Sequence, residues 1–576
     1  MSEENLHRQE TQHAFLVAWG WFAQHIGLIQ AIHNVPLHQK TYKHSPHTKI
    51  LEFLVALLGG LPYLQDISRA AHPLDQDQTV AQAWQQPAWA DYSGVSRTLS
   101  TLSMEEVQAL VRAVEQVEQP LIDAELARLR QQGERIVYDG DLTGLQVSPG
   151  SHTYPNAAFG YMDDEIRLGY QAAVVSLQSP IYRRLWLSGQ AHPGDTVSCT
   201  QAEALVLAAE ARTGLRPRRR TEWLKKRIEA FEQTMKITEQ RLTTQTEAVR
   251  RAQERLEVAC QQRDERQRRL AELEALYHQR QRHERPNSQL SQARQRLRAA
   301  EHRVQSRQQA LQVAERRLAK TQALHQAQQA EYQRLQARLQ RFEQDNQTNL
   351  APIAAEFRLD AGFGTYENIA LLIEMGYEVY TKAHNARLNA SLRRRSDLPS
   401  TWERVGTNAE MVAWPDLPLT RCPYPLDVGL ERFHHGEKIE YSVLLHFGDD
   451  PVTENLPQWF EHYNGRQIIE AGIKESKWVF FLHHFKVRTQ AAIYLQERLT
   501  LFAANFIRWA ARWLDEQADP QVNTLNLRQI GLKRQVQVGA HVSAQVIESA
   551  QGKMLRFSAC SAFSGRVLAL RPGASP

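Results

Sequence analysis

Hydrophobic and polar positions repeat with three different periods along this chain of 576 residues, and each period predicts a different element. A 3.6-residue period fills FLVAWGWFAQHIGLIQAIHNV, HTKILEFLVALLGGLPYLQDISRAA and SMEEVQALVRAVEQVEQPLIDAELARLRQQG, and predicts a helical domain over residues 1–130. Within it, GVSRTLSTLS places Ser96 and Arg97 where a recognition helix would open, since small polar and Arg side chains at a helix start reach phosphates and base edges. A plain helical bundle fits the same pattern. Two-residue alternation then takes over: residues 135–138 predict a strand that delivers Asp139 and Asp141 to one face near its end. Both are candidates for chemistry, with Asp141 preferred. Residues 357–359 predict a short buried strand ending at Asp360, followed by a turn at Gly362 and Gly364, a helix over 369–375 and a strand over 377–382. That places a carboxylate at the carboxyl end of a strand, where open α/β sheets hold ligands. Alone, such an Asp is a turn former or helix cap.

The third period is seven. From Ile228 to Tyr277, and again from Leu290 to Leu339, apolar residues recur at heptad spacing with a second set three positions on. Arg285-Pro286-Asn287-Ser288 interrupts them as a turn, with Ser288 as the cap of the second helix. Two such helices predict a long antiparallel coiled-coil hairpin, each arm spanning roughly 80–90 Å at 1.5 Å per residue. Matching large against small side chains suggests that facing residue numbers total 570. That register would oppose Gln245 with His325 and Arg263 with Arg307. The outward faces are rich in Arg and Gln, which suits contact with DNA or with a second subunit; an inert spacer is the plainer alternative.

Nearer the C-terminus, QWFEHYNGRQIIEAGIKESKWVFF predicts one helix. Tyr463, Arg466, Glu470 and Lys477 fall within roughly 60° of one another on it at 100° per residue. A carboxylate flanked by two cations and a phenol suits a divalent metal beside a phosphodiester; on its own the same face would be a solvated charged surface. Phosphodiester cleavage needs an activated oxygen nucleophile and neutralised attacking and leaving oxygens, which two Mg²⁺ or Mn²⁺ ions about 3.5–4 Å apart provide. Mg²⁺ takes oxygen ligands and keeps several waters, so a few carboxylates plus the substrate phosphate suffice.

Asp141 in DLT, Asp360 in RLDAGF and the Tyr463, Arg466, Glu470, Lys477 spacing together resemble the DDE transposases of the insertion-sequence-four type, bacterial DNA strand transferases with an RNase H-like core. The resemblance covers residues 131–515 in order, and GYQAAVVSLQSPIYRRLWLSGQ is similar to the strands that follow the first Asp. It implies an α/β fold with Asp141, Asp360 and Glu470 as catalytic metal ligands for two Mg²⁺ (or Mn²⁺) ions. Tyr463, Arg466 and Lys477 would contact DNA phosphate. It also implies cutting at terminal inverted repeats, attack of the freed 3′-hydroxyl on target double-stranded DNA, and a homodimer in the synapse. The expected organisation is a helical domain over 1–130, RNase H-like core over 131–217, 351–397 and 458–515, a coiled-coil hairpin over 218–350, a β-rich insertion over 398–457 and a small β unit over 516–576. Within the β-rich insertion, Trp402 or Trp414 would either pack in the core or stack on an extruded base. The coiled coil is the main departure, since relatives carry a short helical connection there.

Bulk properties narrow the alternatives. A net charge of +5 is compatible with DNA, and the four cysteines lie far apart without zinc spacing, which implies a reducing compartment. The polar N-terminus predicts no signal peptide, and no apolar run approaches membrane-spanning length. The expectation is therefore cytoplasmic, at the nucleoid, with no membrane. A coiled-coil ATPase would need a G-x-x-x-x-G-K-[ST] loop, which the sequence lacks. A metal-dependent nuclease without strand transfer, or an inactive DNA-binding derivative, are the remaining alternatives.

Overall fold

In the computed structural model, residues 7–41, 43–148, 154–394, 402–549 and 552–571 are described. The chain divides into two compact units, one built from Met1–Arg218 with Ala351–Pro576 and the other from Arg219–Leu350.

The first unit is mixed α/β. Strand β1 (His7–Thr11) precedes a run of helices that includes Ala14–His25, Pro46–Leu58 and Met104–Gln131. Ser103 and Glu106 open the last of these with a reciprocal capping box. The main sheet then begins with β2 (Ile136–Gln146), β3 (Ala158–Met162), β4 (Glu165–Ser179) and β5 (Arg183–Pro193). It continues after the second unit with β6 (Ala355–Leu359) and β7 (Glu378–Lys382), then β8 (Glu403–Arg404), β9 (Ala409–Leu417), β10 (Leu426–His435) and β11 (Lys438–Phe447). Strands β4, β2, β6, β7, β11, β10, β9 and β8 lie side by side, with β3 and β5 both on β4. Pairing is parallel for β2–β6 and β6–β7 and antiparallel elsewhere.

Two outcomes in the main sheet differ from the sequence reading. Strand β2 does not stop near Asp141: it runs on to Gln146 because residues 141–146 pair with β4, from Asp141 opposite Val174 to Gln146 opposite Gly169. The strands of the β-rich insertion also join the main sheet, through β11 on β7.

Central strand β6 explains what organises the core. Ala355, Phe357 and Leu359 point to one face, where Tyr138 and Tyr377 meet the Phe357 ring. Glu356 and Arg358 point to the other and are equally buried, which costs stability unless each is paired. Both are: Glu356 bonds His462, and Arg358 bonds Asp139. Helix Gln490–Glu516 covers β5, with Asn505 accepting from Trp186 N and donating to Trp186 O, a side chain standing in for a strand partner. Its Phe506 meets Phe22 and Trp84 of the N-terminal helices, so one apolar helix ties those helices to the sheet.

The C-terminal residues form β12 (Ala544–Ser549), β13 (Gly552–Phe557) and β14 (Val567–Ala569). They are not a unit by themselves, since β1 completes their antiparallel sheet against β12. Among the described residues no helix is long and apolar enough to cross a membrane.

The second unit is a pair of helices, Thr221–Gln279 and Gln289–Thr348, packed antiparallel. Ser288 caps the second through Ser291 N. Buried Ile228, Thr238, Val249, Ala259 and Leu273 on one helix, and Leu290, Ala300, Val304, Thr321, Gln328, Leu335 and Phe342 on the other, all occupy the heptad seam read from the sequence. The register is corrected: His325 reaches Glu239 and Tyr332 reaches Glu232, pairs that total 564, close to one heptad short of 570. His325 therefore finds a carboxylate where Gln245 was expected. The expected like-charged layer falls away with the old register: Arg263 no longer meets Arg307, and its guanidinium bonds Asp264.

Candidate functional site

The stretch expected to form a single helix is two, Leu456–Asn464 and Gln467–Trp478. A helix running through would bond Arg466 N to His462 O. Instead Arg358 Nη1 donates to His462 O at 2.8 Å, and Arg466 N turns back to Tyr463 O at 3.0 Å. A side chain inserted into the ladder is a recognised cause of a helix break. Gly465 makes room for it, because a Cβ there would stand 2.7 Å from Arg358 Nη1.

This junction sets the site. Tyr463, buried, donates its hydroxyl to Leu359 O at 3.2 Å, fixing the end of β6 from which Asp360 projects. Burial raises the phenol's pKa. Arg466, at the break, reaches three carboxylates that are far apart in sequence. Its Nη1 lies 3.2 Å from Asp141 Oδ2, and its Nη2 lies 3.6 Å from Asp360 Oδ1 and 2.5 Å from Glu470 Oε1. One shared nitrogen keeps the Asp360 and Glu470 oxygens within roughly 6 Å of each other, a spacing that a pair of ions about 3.5–4 Å apart can bridge.

The electrostatics follow from burial and crowding. Asp141 is pushed up to about 6, chiefly by burial; Arg466 pulls it down, while Asp360 and Glu470 push it up. Its Oδ1 accepts from Leu142 N at 2.8 Å. Arg466 is raised despite its burial, through Tyr463 and the three acids. The site is open on one side: the Asp360 and Glu470 side chains are 46% and 43% exposed, against 14% for Asp141. Beside the turn after Asp360 lies a cleft of about 800 Å³, lined by Gly364, Thr365, His384, Arg387 and Arg421 among others.

The remaining candidates stand elsewhere. Lys477, on the same helix as Glu470, is mostly buried and lies 3.9 Å from Asp163, in the turn between β3 and β4; burial lowers its pKa. Asp139 is not an available ligand: Arg358 Nε and Nη2 hold its two oxygens at 2.7 and 2.9 Å, and it is fully buried. Ser96 and Arg97 are exposed, but they do not open a helix. Helix Tyr92–Thr101 starts earlier, capped by Asp91, whose carboxylate accepts from Gly94 N. Trp402 and Trp414 are both half-buried, and neither takes the core position, which Trp459 occupies. Trp402 carries the Arg432 guanidinium 4.1 Å above its ring.

A second cluster went unread in the sequence. Glu378, His446 and Asp450 bring ligand atoms within 4.8 Å of one another and could hold a metal ion. Its members come from β7, β11 and the loop after β11, so no local spacing betrays them. The available signal was polar residues at alternate positions of otherwise apolar strands, as in Glu356 and Arg358 or Glu378 and Tyr380.

No protein-family model matches the chain, and a search of curated proteins found no match.

Proposed function

We propose that the chain is a DDE transposase that cuts DNA at terminal inverted repeats and joins the freed 3′ end to target DNA. One observation carries the reading: Asp141, Asp360 and Glu470, each more than a hundred residues from the next, converge on a single guanidinium. The strand order supports it. Taking β5, β4, β2, β6 and β7 alone gives a five-stranded sheet with β2, β6 and β7 parallel and β4 antiparallel to β2, the arrangement of an RNase H-like core. The acids then come from its central strand, from the end of the next strand, and from a helix whose Gly472 backbone is pressed against Arg184 and Trp186 of β5.

The donor set fits hard divalent cations, being three carboxylates and nothing softer. Asp141, Asp360 and Glu470 would hold two Mg²⁺ or Mn²⁺ ions, which supply an activated water and neutralise the scissile phosphate. The protein's own residues do the rest. Arg466 keeps the three acids gathered against their mutual repulsion and offers a bidentate donor to a phosphate entering from the open side. Tyr463 holds the strand end beneath Asp360. Lys477 adds positive charge where a DNA backbone would run past the β3–β4 turn. Water attacks the phosphodiester and the P–O3′ bond breaks. The released 3′-hydroxyl then attacks a target phosphodiester, forming one P–O bond as another is lost.

The test incubates the protein and Mg²⁺ with DNA flanking its own gene and maps nicks at inverted repeats. Glu470→Gln is expected to bind the same DNA and leave it uncut; a variant that still cuts overturns the ligand assignment. A pre-cut 3′ end supplied with target DNA separates the transposase from a metal-dependent nuclease, which would cut and never join.

A further inference from the structure

The cluster at Glu378, His446 and Asp450 is independent of the proposed catalytic acids. Asp360 follows the carboxyl end of β6, whereas Glu378 starts β7 opposite Glu356, near the amino end of the same parallel pair. Four carboxylates gather there: Glu356, Glu378, Asp427 and Asp450. Arg135 meets three of them, with Nη1 2.6 Å from Glu378 Oε2, 2.6 Å from Asp450 Oδ2 and 3.8 Å from Glu356 Oε2, while the nearby Arg358 is taken up by Asp139. Glu356 and Glu378 are buried, so the excess of negative charge is only weakly screened by water. Glu378 shows the strain: burial, with Asp450 and Glu356 behind it, pushes its carboxyl up to about 7 against the pull of Arg135.

His446 is the second, separate observation. Its side chain is fully buried, and its Nδ1 is held by Asp427 Oδ2 at 2.9 Å. Its other nitrogen, Nε2, has no hydrogen-bond partner among the described residues. A buried imidazole nitrogen without a partner is costly, and one whose opposite nitrogen is fixed by a carboxylate has the orientation found in metal-ligating histidines. The Tyr380 hydroxyl, 2.8 Å from Asp450 Oδ2, fixes the third member.

We propose that Glu378, His446 and Asp450 form a second metal site, one for a borderline transition ion of the Zn²⁺ class, with Asp427 orienting the histidine. One imidazole nitrogen and two carboxylate oxygens suit Zn²⁺, with Zn–N near 2.0–2.1 Å, better than Mg²⁺, which favours oxygen throughout. The ion would join β7 of the core to β11 of the added strands and offset the charge that Arg135 leaves over.

Chelator-stripped full-length protein is titrated with Zn²⁺ by calorimetry in excess Mg²⁺, and with Co²⁺ by visible absorbance. The wild type is expected to bind one equivalent of Zn²⁺ that Mg²⁺ does not displace, and Co²⁺ to give a ligand-field band. His446→Ala and Glu378→Gln are expected to lose that equivalent, and Asp427→Asn to weaken it about 10–100-fold. Asp141→Asn keeps it. Circular dichroism identifies any variant that fails to fold. Absence of Zn²⁺ binding by the wild type overturns the proposal. Binding that survives both Glu378→Gln and His446→Ala overturns it equally.

Discussion

Asp141→Asn should stabilise the folded chain at neutral pH while abolishing DNA cutting. In the absence of divalent cations, a carboxyl pushed up to about 6 from an ordinary 3.8 makes ionisation in the folded state cost about 3 kcal/mol at pH 7. The sign follows from which state holds the proton. Between pH 4 and 6 the unfolded chain has released it and the folded chain has not, so stability falls as pH rises through that window and is level above it. The amide removes this cost but cannot satisfy both neighbours: its oxygen can accept from Leu142 N or from Arg466 Nη1, and its NH₂ then faces the other donor. That mismatch costs about 1 kcal/mol, leaving a net gain of about 2 kcal/mol. The assay is urea unfolding with EDTA at pH 8 and pH 4.5, followed by tryptophan fluorescence, since Trp186 and Trp459 are both buried in the α/β unit. The gain is expected at pH 8 and should be mostly gone at pH 4.5. A variant less stable than wild type at pH 8, or an advantage indifferent to pH, would refute the reasoning.

Three further outcomes are expected. Arg358→Ala strips Asp139 and His462 O of their buried partner, and should lower stability by about 3–5 kcal/mol in denaturant titrations and reduce cutting. Gln328→Leu replaces a seam residue whose buried Oε1 has no partner among the described residues, and should raise the helix pair's unfolding free energy by about 1–3 kcal/mol, read by ellipticity at 222 nm. Lys477→Gln should weaken binding to all DNA sequences alike and lower the slope of log affinity against log salt by about one, measured by fluorescence anisotropy.

Much of the unit that carries Asp141, Asp360 and Glu470 could be read before folding because its signals are local. Strand, turn, helix and strand around Asp360 obey their own periodicities, as does the seam of the long helices, whose buried positions fell on the heptad. What escaped depended on distant residues. Asn464-Gly465 was the one local hint of the helix break; Arg358, a century of positions upstream, takes the carbonyl that would have carried the helix through. Period two set Asp139 and Asp141 on one face correctly, yet only the position of Arg358 on the neighbouring strand decides that the first is locked and the second free to serve. The helix register missed by a heptad because size matching is nearly degenerate under such a slip. The pairing of β1 with β12 joins segments more than 500 residues apart, beyond any pattern in either.

The antiparallel helix pair also bears on how so long an insertion is tolerated between β2 and β6, which must lie side by side. Disordered, those 132 residues would lengthen the connection from helix Ala202–Thr213 to β6 and disfavour that pairing by about 2 kcal/mol through chain entropy alone. Here the inserted segment returns its own ends to each other: Arg219 N donates to Asn346 Oδ1 at 2.8 Å, and Asn346 Nδ2 donates back to Arg219 O. Zipping from the Pro286 turn uses neighbours only, so the detour can shorten itself ahead of sheet assembly. To the two strands it then counts as a hop of a few residues, and its length is free to vary by whole heptads at almost no entropic charge.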